Sequence, residues 1–304
     1  MKKIKIGIPR AFLYYRYGVL WKTFFTTLGC KIILSPETNE DIILLGKNNT
    51  IDECCLSYKI YIGHVIFLND KCDYILIPRI CNYGKKKQVC TRFNGTYDNI
   101  KYLIPKTNIL TYNIHHTKYH YEFLEFLKIG FKLSKNPFKI IYSYIKGKKK
   151  QRLYYENQEH EQINKLHNKK IKVLIISHFY NINDNYLSKY IKEYLENNDI
   201  TLLYSDNLEK SLAVSFSDYF SDTLYWQYSK EMIGSLYYYR HQIKGIIFIS
   251  TYPCSLDALV NNLAIYKNNY LPILNIILDE NTSKLNLETK LESYIDIIKG
   301  AYHE

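Results

Sequence analysis

Two stretches of eleven residues decide the fold: KKIKIGIPRAF at Lys2–Phe12 and KKIKVLIISHF at Lys169–Phe179. Each opens with the same Lys-Lys-Ile-Lys tetrad and runs into a short apolar segment of the length and composition of a strand buried on both faces. Each is then followed by a loop, a helical pattern of about five turns and a second strand, KIILSP after the first and ITLLYSD after the second. Strand, helix and strand in that order imply parallel pairing through a right-handed crossover. The recurrence is weak residue by residue, but it favours two related α/β units over one continuous sheet.

Working outward, Leu20, Phe24, Phe25 and Leu28 recur at helical spacing, and Gly29 stops that helix. Thr38–Asp41 supplies an N-cap region for a short helix ending near Gly46. Ser57–Leu68, SYKIYIGHVIFL, reads as a mostly buried helix, with strand left open by its β-branched residues. Tyr74–Ile80 and Asn108–Ile114 read as the third and fourth strands. Lys118–His167 is helical in pattern and then strongly polar, with KGKKKQR at Lys146–Arg152. GIIFISTY and LPILNIIL complete the second unit, and Leu285–Ile298 forms a terminal amphipathic helix. The expected class is α/β: two Rossmann-like, flavodoxin-like doubly wound parallel-sheet domains at 1–117 and 169–304, joined by a helical, basic connector at 118–168.

Composition narrows the function. With 304 residues, 47% of them hydrophobic, the chain can bury a sizeable core and is not of the disordered class. No apolar run reaches membrane-spanning length, and Pro9 and Arg10 interrupt the amino terminus before a signal-peptide core forms, so the expected location is cytoplasmic. The net charge of +12 raises polyanions as partners, but the 32 tyrosines and the excess of Lys, Ile and Asn read as codon bias. Nucleic acid is therefore not the expected partner. Neither GxGxxG nor GxxxxGK[ST] occurs, so ATP binding by this chain itself is not expected.

The seven cysteines, odd in number and dispersed, read as reduced thiols. Cys30 and Cys72 precede strands, where packing is the expected role. Cys54 and Cys55 precede a helix, Cys81 and Cys90 fall in the Gly- and Lys-containing loop after the third strand, and Cys254 in TYPCSL stands between a strand and a helix. Ligands of α/β sheets bind beyond the carboxyl ends of strands, and a helix amino terminus favours thiolate. These five could therefore bind an iron–sulfur cluster or zinc, although no CxxC pair is present. His115 and His116 follow the fourth strand as conceivable metal ligands or solvated loop residues. His178 and Asp184 could orient a ligand or cap a loop. Lys59 and Arg79 could balance charge near the cysteines or form surface pairs, and Asp279 and Glu280 could act as acid or base or cap a turn.

The segments KIGIPRAFLYYRYGVLWKTFFTTLGCKIILSPETN, DECCLSYKIYIGH, YILIPRI with VCTRF, SHFYNINDNY, TYPCSLDAL, ILDENTSK and LETKLESYIDII resemble the 2-hydroxyacyl-CoA dehydratase superfamily, most closely its acyl-CoA dehydratase activase-related branch. The resemblance implies a 4Fe-4S cluster, or the double cubane of some relatives, held between the domains by three cysteines. By motif these are Cys55, Cys90 and Cys254, with Cys54 and Cys81 as alternatives to the first two. It implies one-electron reductive chemistry in an anaerobe: a thioester carbonyl at the open iron receives an electron from an ATP-hydrolysing activator, and the resulting ketyl expels the hydroxyl. An acyl-CoA substrate and a homo- or heterodimer follow from the same resemblance, with no membrane partner. The chain departs from the pattern where CSLD stands for CGPD, SHFY for GHPY and TKLE for TRLE. A non-catalytic electron relay or interaction partner of such a system, and a cluster-free module for an anionic ligand, are the other readings; no catalytic residue is assigned.

Overall fold

The computed structural model describes residues 3–268 and 270–300; Lys2 of the first tetrad lies outside them. The chain divides into two compact units, one running to Tyr154 and taking in Tyr225–Gln227, the other comprising Tyr155–Leu224 and the chain from Tyr228 onward.

The first unit follows the alternation read from the sequence. β1 (Lys5–Ile8) leads to α1 (Tyr14–Leu28) and β2 (Lys31–Leu34). Leu20, Phe24, Phe25 and Leu28 of α1 face the core, and Gly29 ends the helix at φ 93°, a left-handed conformation that costs glycine little. α2 (Glu40–Lys47) is capped by the Asn39 side chain, which accepts from the Ile42 N–H at 3.0 Å. α3 (Leu56–Leu68) settles the ambiguity of SYKIYIGHVIFL in favour of helix and is buried over most of its circumference. Burial all round removes any amphipathic period, which is why the sequence left both states open.

Beyond α3 come β3 (Tyr74–Leu76), β4 (Arg79–Asn82), α4 (Thr91–Leu103), β5 (Ile109–Leu110) and β6 (Asn113–His115). The expected third and fourth strands are each cut in two. β3 and β5 join the four-stranded parallel sheet in the order β2-β1-β3-β5, whereas β4 and β6 pair separately. Pro78, with no N–H to donate, stands at the break, between the bonds from Ile77 N–H to Leu110 O and from Arg79 N–H to Tyr112 O. Cys81 consequently lies on a strand, correcting its expected place in a loop. α5 (Glu122–Leu133) and α6 (Pro137–Leu166) make the stretch after His115 helical, and the boundary between the units falls within the 30 residues of α6.

The second unit repeats the plan. β7 (Ile171–Ile176), the one-turn α7 (Phe179–Ile182), α8 (Asn185–Asn197) and β8 (Ile200–Tyr204) come first. α8 has 13 residues, fewer than the five turns expected, because α7 and its loop take up the remainder. α9 (Lys210–Ser217), α10 (Gln227–Tyr239), β9 (Gly245–Thr251), α11 (Ser255–Lys267), β10 (Ile273–Leu278) and α12 (Lys284–Gly300) complete it. Its parallel sheet runs β8-β7-β9-β10. Counted within each unit, both sheets therefore have the order 2-1-3-4 of a flavodoxin-like doubly wound fold. Every residue of β9 is buried, as are Val173–Ile176 of β7, so helices cover both faces. Among the described residues no helix is long and apolar enough to cross a membrane.

α2 and α3 cross closely through Gly46 and Gly63: a Cβ on Gly46 would overlap the Lys59 carbonyl, and one on Gly63 the Ile42 carbonyl. Gly63→Ala is expected to destabilise the first unit by about 1–3 kcal/mol through overpacking. Gly95→Ala, in α4 with nothing within 4 Å of the added carbon, should stabilise it by about 0.4–1 kcal/mol. Urea unfolding midpoints check both.

Candidate functional site

In a parallel sheet with helical crossovers, a helix that follows a strand begins at the carboxyl edge, and one that leads into a strand's amino end has come from that edge. Cys55 is the N-cap residue of α3, which leads into β3; Cys90 is that of α4, which follows β4; Cys254 is that of α11, which follows β9. All three are half-buried, and none makes a side-chain cap hydrogen bond. The first-turn N–H groups lack partners within the helix, and their partial positive charge favours a thiolate over a thiol.

Within the first unit the starts of α3 and α4 lie side by side. The Arg92 guanidinium of α4 lies 4.9 Å from the Tyr58 ring of α3, and Asn99 Nδ2 donates to the Tyr58 hydroxyl at 2.9 Å. Phe12, just beyond β1, stacks on Tyr61 at 5.0 Å and meets Phe93 at 5.0 Å and Tyr58 at 6.0 Å. Burial pushes the Tyr58 hydroxyl up; Asn99 and Arg92 oppose this, while Cys54 and Cys55 add to it, so both sulfurs lie within electrostatic range of that phenol. Cys54 is buried, whereas Cys55 is partly open. The Val89 N–H donates to the Cys81 carbonyl at 3.3 Å, which ties β4 to the residue before Cys90. Cys55, Cys90 and Cys81 thus belong to one neighbourhood.

Cys30 and Cys72 lie at the opposite, amino edge, one and two residues before β2 and β3. Burial pushes both thiols up, away from the thiolate form. Cys72 donates to the Leu68 carbonyl at 3.4 Å, and a Cβ on Gly7 would meet its sulfur at 2.5 Å.

In the second unit β7 and β9 are neighbours whose chains leave toward opposite sides of the sheet, the topological switch point where doubly wound folds bind ligands. His178 leaves β7 there, and the chain leaving β9 passes a cis Tyr252–Pro253 bond to Cys254 and α11. His178 Nε2 lies 2.8 Å from Asp257 Oδ1, with 3% and 2% of the two side chains exposed. The two atoms are within ion-pair range, although the ring N–H is not aligned on that oxygen as a hydrogen bond. The His178 ring stacks on Tyr180 at 4.9 Å, and its buried Nδ1 has no hydrogen-bond partner among the described residues. Asp257 stands three residues after Cys254, one helical turn along α11. Sequence reasoning passed over it; the i, i+3 spacing from a cysteine at a helix start was the available signal.

The remaining candidates separate. Asp184 caps α8 by accepting from the Tyr186 N–H at 2.9 Å. Asp279 accepts from the Asn281 N–H and the Thr282 hydroxyl, and so closes a turn in which Glu280 is the next residue. Arg79 forms a pair with Asp98 at 2.5 Å and donates to the Asn94 carbonyl. Lys59 is buried one turn into α3. His115 ends β6, and burial, with Lys118 and His120, pulls its pKa down; His116 opens the turn that follows. Among the described residues no three His, Cys, Asp or Glu side chains are grouped to hold a metal ion. Thiols at helix starts suit a soft metal ion such as iron chemically.

Two flavodoxin-like sheets, each with cysteine at a helix start on its carboxyl edge, define an α/β protein of the doubly wound class. Residues 5–208, about two-thirds of the chain, match the family described as CoA enzyme activase uncharacterised domain (DUF2229), and the chain belongs to that family. The resemblance to activase-related proteins read from the sequence agrees with this membership. The match includes Cys55, Cys90 and His178 and ends before Cys254. No curated protein matches the chain.

Asp257→Ala removes the buried carboxylate beside His178 Nε2 and is expected to lower stability by about 1–3 kcal/mol. Asp279→Ala, at an exposed turn, should cost less than about 1 kcal/mol. Urea unfolding of the two variants tests this order.

Proposed function

We propose that this chain is an iron–sulfur protein of an acyl-CoA dehydratase and activase system, in which Cys55, Cys90 and Cys254 supply thiolate ligands to a 4Fe-4S cluster. The observation that carries the reading is the shared position of these three cysteines, each half-buried at a helix start without a side-chain cap. Membership of the CoA enzyme activase family supports the choice of system. Three thiolates leave one iron of a cubane open, and the bound group would supply one-electron reductive chemistry there.

The chain's own residues have separate tasks. Phe12, Tyr61 and Phe93 form an apolar wall that limits water near Cys55 and Cys90. Asp257 holds the His178 ring at the carboxyl end of β7, with its second nitrogen unpartnered among the described residues. Cys30 and Cys72 stay protonated and pack the amino edges. No phosphate loop occurs in the sequence, so an ATP-hydrolysing partner supplies the electron, in the cytoplasm and under anaerobic conditions, for reduction or dehydration of an acyl-CoA.

After anaerobic reconstitution with iron and sulfide, the unaltered protein is expected to show thiolate-to-iron charge-transfer absorption. Cys55→Ala, Cys90→Ala and Cys254→Ala should each lose most of it, and Cys30→Ala should keep it. Equal loss from Cys30→Ala, or no iron in the unaltered protein, would overturn the reading. Cys54→Ala and Cys81→Ala decide the two alternative ligands by the same measurement. When a reducing activator is added, turnover of a 2-hydroxyacyl-CoA marks a catalyst, and cluster reduction without turnover marks an electron relay.

A further inference from the structure

A polar cavity of about 200 Å³ opens in the second unit beside the carboxyl end of β8, lined among others by Glu161, Gln162, Lys165, Asn183, Lys192 and Tyr204. It is smaller than the roughly 300–1,000 Å³ of pockets that enclose whole drug-sized ligands, so its scale is that of one polar group. Lys165 of α6 and Lys192 of α8 approach it from different elements, and the ammonium of each lies 5.3 Å from the centroid of the same Tyr204 ring. Lys165 donates to the Leu202 carbonyl at 3.4 Å, and Lys192 donates to the Ile182 carbonyl. Each ammonium has three N–H donors, so two on each remain after these bonds. Among the described residues neither forms an ion pair with a carboxylate.

Two like charges held this way are electrostatically costly. Burial chiefly, with Lys165 beside it, holds the Lys192 ammonium down to about 8, even though Glu196 and Asp184 act in the opposite direction. An anion between the two ammonium groups would relieve their repulsion and fill their open donor positions. Gln162 fixes the wall: its Nε2 donates to the Tyr204 carbonyl at 2.9 Å and its Oε1 accepts from the Tyr204 N–H at 2.7 Å. The strand end is thus held independently of any ligand. Among the described residues Glu161 is the one carboxylate lining the cavity, and it opposes an anion there.

We propose that this cavity is a binding site for a phosphate-type oxyanion, held between Lys165 and Lys192 against Tyr204. None of the lining residues is a cysteine, and the proposal does not depend on the cluster. Its ligand is either free phosphate or the phosphate end of a larger molecule.

The test is calorimetric titration of the full chain with inorganic phosphate and with phenyl phosphate at neutral pH and fixed ionic strength. Saturable binding at one site is expected. Lys165→Met and Lys192→Met should each weaken it by about ten-fold or more, the loss of one charge-assisted hydrogen bond. Glu161→Gln should tighten it. Lys189→Met, which removes the same charge from an exposed position on α8, should leave it unchanged. Phosphate should also raise the thermal midpoint of the unaltered protein by mass action and, at the same concentration, raise that of Lys165→Met by less. Binding of both ligands assigns the site to a phosphate group on a larger molecule, and binding of phosphate alone assigns it to the free anion. Absence of saturable binding, or equal weakening by Lys189→Met, would overturn the proposal.

Discussion

The constraint on which the structure depends is the parallel pairing of a central strand with two neighbours in each unit. β1 pairs with β2 and β3, and β7 with β8 and β9, all parallel. Parallel neighbours cannot be joined by a tight turn, so each connection is a helix that crosses back over a face of the sheet. The strands are then covered on both sides, and their apolar runs bury Ile6 and Ile8 in one unit and Val173–Ile176 in the other. The same geometry gathers one end of the crossover helices at one edge. Cysteines at helix starts and cysteines before strands therefore occupy opposite edges.

That division has chemical consequences. At the carboxyl edge, Cys55, Cys90 and Cys254 are N-cap residues beside first-turn N–H groups that lack intrahelical partners, a setting that lowers the cost of a negative sulfur. At the amino edge Cys30 and Cys72 are surrounded by packed side chains that raise it. The second unit adds a buried acid–base pair at its switch point, where His178 from the end of β7 meets Asp257 from the first turn of α11. Polar groups so deeply buried are costly to leave apart, so each residue of the pair constrains the other and, through it, the turn that carries Cys254.

Much of the fold was legible because apolar period and punctuation agreed. Gly29, Asn39 and the repeated KKIK tetrad each named a boundary or a start. The strand ends were less legible: Tyr74–Ile80 reads as one apolar run, and only the missing N–H of Pro78 and the matching break after Leu110 divide it. α10 was passed over, because Gln227–Leu236 is buried on every side and carries polar residues inward, which leaves no amphipathic stripe to read. Of the candidate site, the cysteines could be ranked by their place before or after strands. The Asp257 partner of His178 could not be paired from the sequence, since the two are far apart along the chain and neither residue type is specific.

By itself the sequence determined the class of fold, the existence of two related units and the helix starts beside Cys55 and Cys254, because those follow from local period, caps and order along the chain, whereas the helix that starts after Cys90 emerged only in the structure. Only the tertiary structure decided what those starts lie against: Tyr58 between α3 and α4, Asp257 against His178, Cys81 on a strand, and Lys165 with Lys192 around one tyrosine. These are contacts between elements remote in sequence, fixed by how helices pack on a twisted sheet and by which buried polar groups find partners, and no local pattern records them.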